Sequence, residues 1–378
     1  MILVGGFDER LEARMRAEDD DRSSGGPSRR QVLTSAAAAG AAVAVTGLGS
    51  AGAAAAPGSG QRRGRIDTHH HALPPALREW AIEHGLLPPE GGPNWGRWDL
   101  NRTLDTMDAL GIAAGVASAP APPEALRDRK TAVSGTRVVN ESLAGLVRDH
   151  PTRFGFFAYL PLFHVDVAIK EAAYALDELG ADGVLLMTHA GGRYLGDPVF
   201  EPLFAELDRR RAVVFTHPVG LADARPVPGI DEWIADFMLD TTRTALSLIN
   251  AGTLDRHRRL SVILSHAGGF LPYLGGRVEH AGRQGEGPSP GAFRRAVRRF
   301  YYDTAMPASP YATPSLLAAA GAGRLLFGTD WPQVERPEVD RTTALLDRDP
   351  SLSRRARAAV VRENALRLLP TLARRLRR

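Results

Sequence analysis

From about residue 65 onward, short apolar runs alternate with stretches in which apolar positions return every three or four residues. Runs of four to eight apolar residues bounded by turn residues read as strands buried on both faces, and the three-four spacing reads as amphipathic helix. Strands are predicted to open at 65–67 and to lie at 112–118, 154–160, 183–187, 212–216, 260–264, 300–303 and 325–328. Helices are predicted at 101–110, 138–150, 165–179, 198–210, 231–250, from about 271, at 314–320 and at 354–369. Gly111, Pro151 and Gly180 supply stop signals for the first three of these helices. Buried strands alternating with helices indicate a parallel sheet covered on its outer face. Eight such units over about 300 residues predict an α/β fold, a (β/α)8 TIM barrel. A doubly wound open sheet is the alternative; no Gly-x-Gly-x-x-Gly follows the first strand, which weakens a dinucleotide-binding version.

The chain ahead of the first strand has a different pattern. Residues 1–27 are charged and lack periodicity, and Arg29-Arg30 followed by Val32, Leu33 and the Ala/Gly-rich run 36–45 resembles a twin-arginine export signal. Small residues at 53–56 offer a cleavage position, blurred by Pro57. The run is weakly apolar, which argues against stable membrane insertion. Residues 1–60 are therefore assigned to a leader, and 61–378 to the barrel with its C-terminal helix. The expected location is periplasmic or extracellular, and cytoplasmic if the segment is a plain Ala-rich leader without function.

Composition narrows the chemistry. Of 378 residues, 44% are hydrophobic, enough for a sizeable core. The net charge is +4 and almost all the basic residues are arginine. Arg374, Arg375, Arg377 and Arg378 close the chain and read as a solvated helix end; no nucleic-acid partner is expected. There is no cysteine, which excludes disulfides, a thiolate nucleophile and a Cys-type zinc site. A metal would have to be held by His, Asp or Glu.

Such residues occur where a barrel needs them. Barrel enzymes build their sites at the C-terminal ends of strands. His69 and His71 stand two apart on the first strand, so their imidazoles share a face. His189 follows the fourth predicted strand, His217 the fifth, His266 the sixth and Asp330 the eighth. Five of the 11 histidines thus fall at strand ends, which favours a metal site over scattered structural histidines.

Asp67-x-His69-x-His71-x-x-Pro74, Thr188-His189, His217-Pro218, Asp240-Thr241-Thr242-Arg243, His266-Ala267-Gly268-Gly269 with Pro272 and Gly276-Arg277, Tyr302-Asp303-Thr304-Ala305 and Gly328-Thr329-Asp330-Trp331-Pro332 carry a family resemblance. In order and spacing, from about 65 to 370, the chain resembles the amidohydrolase-related branch that includes aminocarboxymuconate-semialdehyde decarboxylase. It looks most like hydroxybenzoate decarboxylases of the 6-methylsalicylate decarboxylase kind. The resemblance implies a metal-dependent barrel that removes carbon dioxide from a small aromatic or unsaturated carboxylic acid, without an organic cofactor, as a homodimer. Two-metal members of the superfamily bridge their metals with a carbamylated lysine after the fourth strand. The two lysines here, Lys130 and Lys170, lie elsewhere, so one divalent metal is expected, on His69, His71, His217 and Asp330. Imidazoles with a carboxylate suit zinc, while ligand type alone also admits manganese or iron.

Catalytic roles are implied for His266, as general base or water-orienting group, and for Asp330, as proton shuttle as well as ligand. A cation beside Asp330 lowers its pKa, which works against the second role. Phe270 and Trp331 are expected to form a flat apolar slot, Arg243 to pair with the substrate carboxylate and His189 to line the pocket. Arg277 is read as a structural ion-pair partner, and His70 as facing away from the metal. A lactonase or amidase, using a water activated by the same metal, is the alternative function.

Overall fold

The computed structural model describes residues 64–377 apart from 91, 223, 226 and 307. The leader assigned to 1–60 lies outside the described residues. Eight parallel strands form one sheet, in chain order: β1 (Arg65–His71), β2 (Ile112–Ser118), β3 (Phe154–Tyr159), β4 (Gly183–Met187), β5 (Val213–His217), β6 (Ser261–Leu264), β7 (Tyr301–Asp303) and β8 (Leu325–Leu326). Each predicted strand is present. The first reaches further than its opening suggested, so both histidines of the pair lie on the strand itself.

The sheet closes through the backbone that follows β8. Thr68 N donates to Phe327 O (2.9 Å), Asp330 N to His69 O (2.8 Å) and His71 N to Trp331 O (2.7 Å). Gly328 allows this approach, since a Cβ there would stand 2.8 Å from the Cβ of His69. Asp67 locks the same junction by accepting from Thr329 N (3.0 Å) and Thr329 Oγ1 (2.6 Å). The barrel is therefore the TIM type expected. All seven residues of β2 are buried, as a strand covered inside and out requires.

Helices cover the outside: α1 (Pro75–Glu83), α2 (Leu100–Ala109), α3 (Arg129–Asp149), α4 (Val165–Asp177), α5 (Glu201–Arg209) and α6 (Glu232–Asn250), followed by shorter ones. Helix α3 starts well before the predicted 138. Thr131, Val133, Ser134, Gly135 and Thr136 are weak helix formers and hide its first turns. One local and one tertiary feature carry them: the Asp128 carboxylate caps Thr131 N at 2.8 Å, and Gly135 seats the ring of Trp80, which a Cβ would approach to 2.5 Å. The predicted helix at 354–369 is present with a π-turn at Ala359–Glu363 inside it. Helices α1, Pro290–Arg299 and Arg336–Asp347 are among those additional to the prediction. Among the described residues no helix is long and apolar enough to cross a membrane.

One expectation is corrected at the C-terminus. Arg375 is not a solvated arginine. Its guanidinium bonds Asp182 Oδ2 at 2.5 Å, at the foot of β4, and the same oxygen accepts from Phe156 N (3.1 Å). The Asp182 side chain is fully buried, and this pair pins the last helix, Pro370–Arg375, against the barrel floor. Asp182→Ala is expected to leave the guanidinium half-buried without its partner and to cost ~3–5 kcal/mol, as breaking buried pairs does. A denaturant midpoint equal to that of the wild type would refute this.

Candidate metal centre

Strand alternation separates the three consecutive histidines. The His70 ring turns outward, packs over Gly115 and bonds Asp67 Oδ2 at 3.0 Å, as expected for a residue facing away from the site. His69 and His71 turn inward, their Nε2 atoms 3.2 Å apart. His217, the last residue of β5, and Asp330, just beyond β8, complete the group. One ligand atom from each of the four lies within 4.8 Å of all the others, and all four residues are buried. Asp330 Oδ1 is 2.9 Å from His71 Nε2 and 3.2 Å from His69 Nε2.

The outer ring nitrogens fix which way the lone pairs point. His69 Nδ1 donates to Asp303 Oδ2 (2.7 Å) and His217 Nδ1 to Pro218 O (2.9 Å). Ser118 Oγ gives its hydrogen to His70 O (3.4 Å), so at 2.9 Å it accepts from His71 Nδ1. Each imidazole thus aims an Nε2 inward, and that of His217 is buried without a protein partner. Three converging nitrogens beside a carboxylate repel one another unless a cation sits among them. The donor set fits one divalent metal, with second-layer bonds of the kind that orient metal-bound imidazoles.

Electrostatics agree. Burial lowers the pKa of His71, and burial with the neighbouring imidazoles drives that of His217 well below its usual value, which keeps it neutral. Burial also pushes His69 down, but Asp330 and Asp303 outweigh it and hold it up to about 10. Burial pushes Asp330 up, yet the charge of His69 and the hydrogen bonds from His266, His69 and His71 keep it well below the carboxylate range. The protein alone therefore holds a proton on His69, and a divalent cation displaces it on binding.

His266 approaches from β6 on a backbone turn. His266 (φ 50°) and Ala267 (φ 58°) are both left-handed, as is Asp330 (φ 62°), which costs about 1–3 kcal/mol per non-glycine residue. Asp303 Oδ1 holds the turn by accepting from His266 N (2.8 Å), and the result sets His266 Nε2 3.2 Å from Asp330 Oδ2. Asp303 was given no role in the sequence reading. Its signal was its place at the end of the seventh strand. Asp303→Asn is expected to weaken metal binding about 10–100-fold, as losing an outer partner of a ligating imidazole does. Metal titration of the stripped protein measures this, and unchanged affinity would show that Asp303 does not orient His69.

The other expected contacts turn out differently. His189 is buried with both nitrogens engaged: Nε2 donates to Gly220 O (2.9 Å) and Nδ1 accepts from Gly192 N (3.3 Å). With Asp240, which accepts from Val219 N (3.0 Å), it braces the loop after His217. Trp331 points away from Asp330. Its ring packs with Val334 and Val339 and its N–H donates to Thr103 (3.2 Å), so it is committed to packing against α2 rather than to a slot. Phe270 is partly exposed beside Thr242, and Arg243 is exposed on α6 beside Tyr194. Arg277 is exposed and makes no ion pair among the described residues, contrary to its reading as a salt-bridge partner. The aromatic walls found next to the ligands are others: a cleft beside His71 is lined by Trp95 and Trp98, to which the sequence analysis assigned no role.

Fold and site together define a barrel with a three-nitrogen, one-carboxylate divalent metal site at its strand ends. The amidohydrolase family profile matches residues 66–371, and the chain belongs to that family. It is 37% identical over 327 residues to the 6-methylsalicylic acid decarboxylase acuB of Aspergillus aculeatus, covering 82% of this chain and 97% of that protein. It is 27% identical over 199 residues to the 2-amino-3-carboxymuconate-6-semialdehyde decarboxylase of Dictyostelium discoideum, covering 51% of this chain and 55% of that one. Among solved structures, 2,6-dihydroxybenzoate decarboxylase from Rhizobium superposes with a TM-score of 0.68 at 26% identity, covering 82% of this chain and 99% of that one. The family resemblance seen in the motifs is borne out.

Proposed function

We propose that this protein is a carboxy-lyase that removes carbon dioxide from a small 2-hydroxybenzoate of the 6-methylsalicylate type. The relatives named above support the class. The observation that carries the reading is the division of the Asp330 carboxylate. Oδ1 faces the nitrogens of His69 and His71, while Oδ2 faces His266 Nε2 at 3.2 Å.

Loss of carbon dioxide from an aromatic acid requires a proton on the ring carbon that bears the carboxylate. The carbon–carbon bond then breaks, and its electrons restore the aromatic ring. When bound, the metal orients the substrate oxygens and neutralises their charge. His266 holds a proton at Nε2, directed at Asp330 Oδ2. Asp330 passes it from that oxygen to the ring carbon, while His266 takes up a proton originating from solvent at Nδ1, which has no protein partner, as it gives up the one at Nε2, so the imidazole stays neutral. Asp330 carries the proton only in passing: its lowered pKa makes protonation uphill and makes the protonated carboxyl a strong donor to the ring carbon.

The test is a panel of 2-hydroxybenzoates given to the metal-loaded protein, with carbon dioxide and the phenol measured. Lactone hydrolysis with no decarboxylation across the panel would sink the proposal in favour of a hydrolase. Zinc is the metal proposed, with manganese second, because neutral imidazoles and one carboxylate suit it; elemental analysis of protein purified without added metal decides between them. A homodimer, and export by the twin-arginine-like leader, belong to the same reading. Sedimentation and localisation of a tagged full-length chain test them.

A further inference from the structure

Helix α6 buries a run of polar residues, Asp240, Thr241, Thr242 and Thr244, that touch neither metal ligand nor substrate in the chemistry above. Asp240, Thr244 and Ser247 recur at i, i+4 and i+7, so they share one face of the helix. That face is bonded to the ends of β4 and β5. Asp240 Oδ2 accepts from Thr188 Oγ1 and from Val219 N (3.0 Å), and Thr244 Oγ1 donates to Thr188 O. Ser247 Oγ accepts from Gly196 N (3.0 Å). Thr188 N in turn donates to His217 O (3.0 Å). The helix is thereby fixed relative to the backbone that carries the ligand His217.

Thr242 stands two residues from Asp240, about 200° round the helix, and faces the turn after β6 instead. Its Oγ1 donates to Met238 O (2.8 Å) and accepts from Phe270 N (2.8 Å). Because the hydroxyl hydrogen is given to the helix, a lone pair is left pointing at the turn. Gly269 lies so close to α6 that a Cβ there would stand 2.1 Å from Met238 O. The path from this contact to His266 is short: Gly269 N donates to His266 O (3.0 Å), and Asp303 holds His266 N from the other side (2.8 Å). The left-handed His266 and Ala267 need such fixing, since sparsely populated backbone conformations persist only where the surroundings over-determine them.

We propose that Thr242 is a positioning residue for His266: α6, fixed to the His217 side by Asp240 and Thr244, uses the Thr242 hydroxyl to hold the turn 266–270 where His266 Nε2 meets Asp330 Oδ2. One helix thus sets the proton-carrying imidazole against the metal ligands. The part His266 plays in the reaction rests on the function proposed above; the place of its ring does not.

Thr242→Val keeps the branched shape and leaves Phe270 N without an acceptor, and Thr242→Ser returns the hydroxyl. For each metal-loaded protein kcat, KM and metal content are measured on 2-hydroxybenzoates, and a crystal structure gives the separation of His266 Nε2 from Asp330 Oδ2. Thr242→Val is expected to lower kcat by about 100-fold, as a misplacement on the order of 1 Å does, with KM and metal content within about twofold of wild type. His266 Nε2 should stand beyond hydrogen-bond reach of Asp330, more than ~3.5 Å away. Thr242→Ser should restore both the contact and kcat to within about threefold, which a loss of general stability would not predict. Gly269→Ala pushes the same turn off α6 by another route and reports the same loss if Thr242→Val does not fold. His266 still at its wild-type 3.2 Å in Thr242→Val overturns the inference, and so does a kcat loss matched by loss of metal. A displaced His266 with unchanged kcat retires His266 as proton carrier and leaves Thr242 as the residue that places it. A wild type that releases no carbon dioxide retires the decarboxylase reading, and the crystallographic separation then decides Thr242 alone.

Discussion

His217→Ala is expected to give a folded barrel that no longer retains its metal and no longer turns over substrate. His217 Nε2 is buried without a protein partner, and its Nδ1 is tied to Pro218 O, so the ring serves the cluster and little else. Removing it deletes one of three converging nitrogens. The loss in metal affinity should exceed the ~10–100-fold seen when merely an outer partner of a ligand is lost. Folding should suffer far less, because β5 is held by its ladders to β4 and β6 whatever its last side chain is. Elemental analysis after dialysis, beside thermal unfolding, separates the two effects. Stoichiometric metal in the variant would show the ligand set to be wrong.

Asp330→Asn is expected to cut kcat by ~10²–10⁴ while the protein stays folded, the range general acid–base groups supply. The amide keeps the shape, and it loses both the charge facing His69 and the oxygen that accepts from His266. A second consequence concerns the metal-free protein. The folded pKa of His69 is raised from 6.5 to about 10, with Asp330 the largest upward cause. A raised pKa contributes stability that is fully present below pH 6.5 and is lost as pH rises through about 10. Metal-free wild type should therefore lose stability between those limits, and metal-free Asp330→Asn should lose less. Parallel denaturation curves at pH 6 and pH 10, values chosen to bracket the shift, check the difference. Equal losses in the two proteins would remove Asp330 as the partner of His69.

The legible parts of this protein were those governed by short-range rules. Apolar runs located all eight strands, and the alternation of side chains along β1 sorted His69 and His71 from His70. Strand ends then pointed to His217 and Asp330. What escaped depends on backbone turns and distant partners. The left-handed conformation of Asp330 directs its own side chain into the site and sends Trp331 to α2, an outcome that adjacency in sequence does not specify. Trp95 and Trp98 acquire a common side only through the 3₁₀ turn between them. Arg375 looks like any terminal arginine until β4 places the buried Asp182 beneath it. The early start of α3 rests on Trp80 reaching Gly135 from another helix.

The backbone bonds that join β1 to the segment after β8 also impose an order in time. His71 and Asp330 touch across 259 positions of sequence, so the carboxylate leaves the ribosome long after the first two imidazoles. A nascent chain that has reached β6 carries three of the nitrogens and no carboxylate to balance a dication. Contacts this distant form late, since the intervening chain must be ordered before they close. Completion of the centre therefore coincides with completion of the barrel, and a retained metal ion certifies that the polypeptide has been made through its last strand.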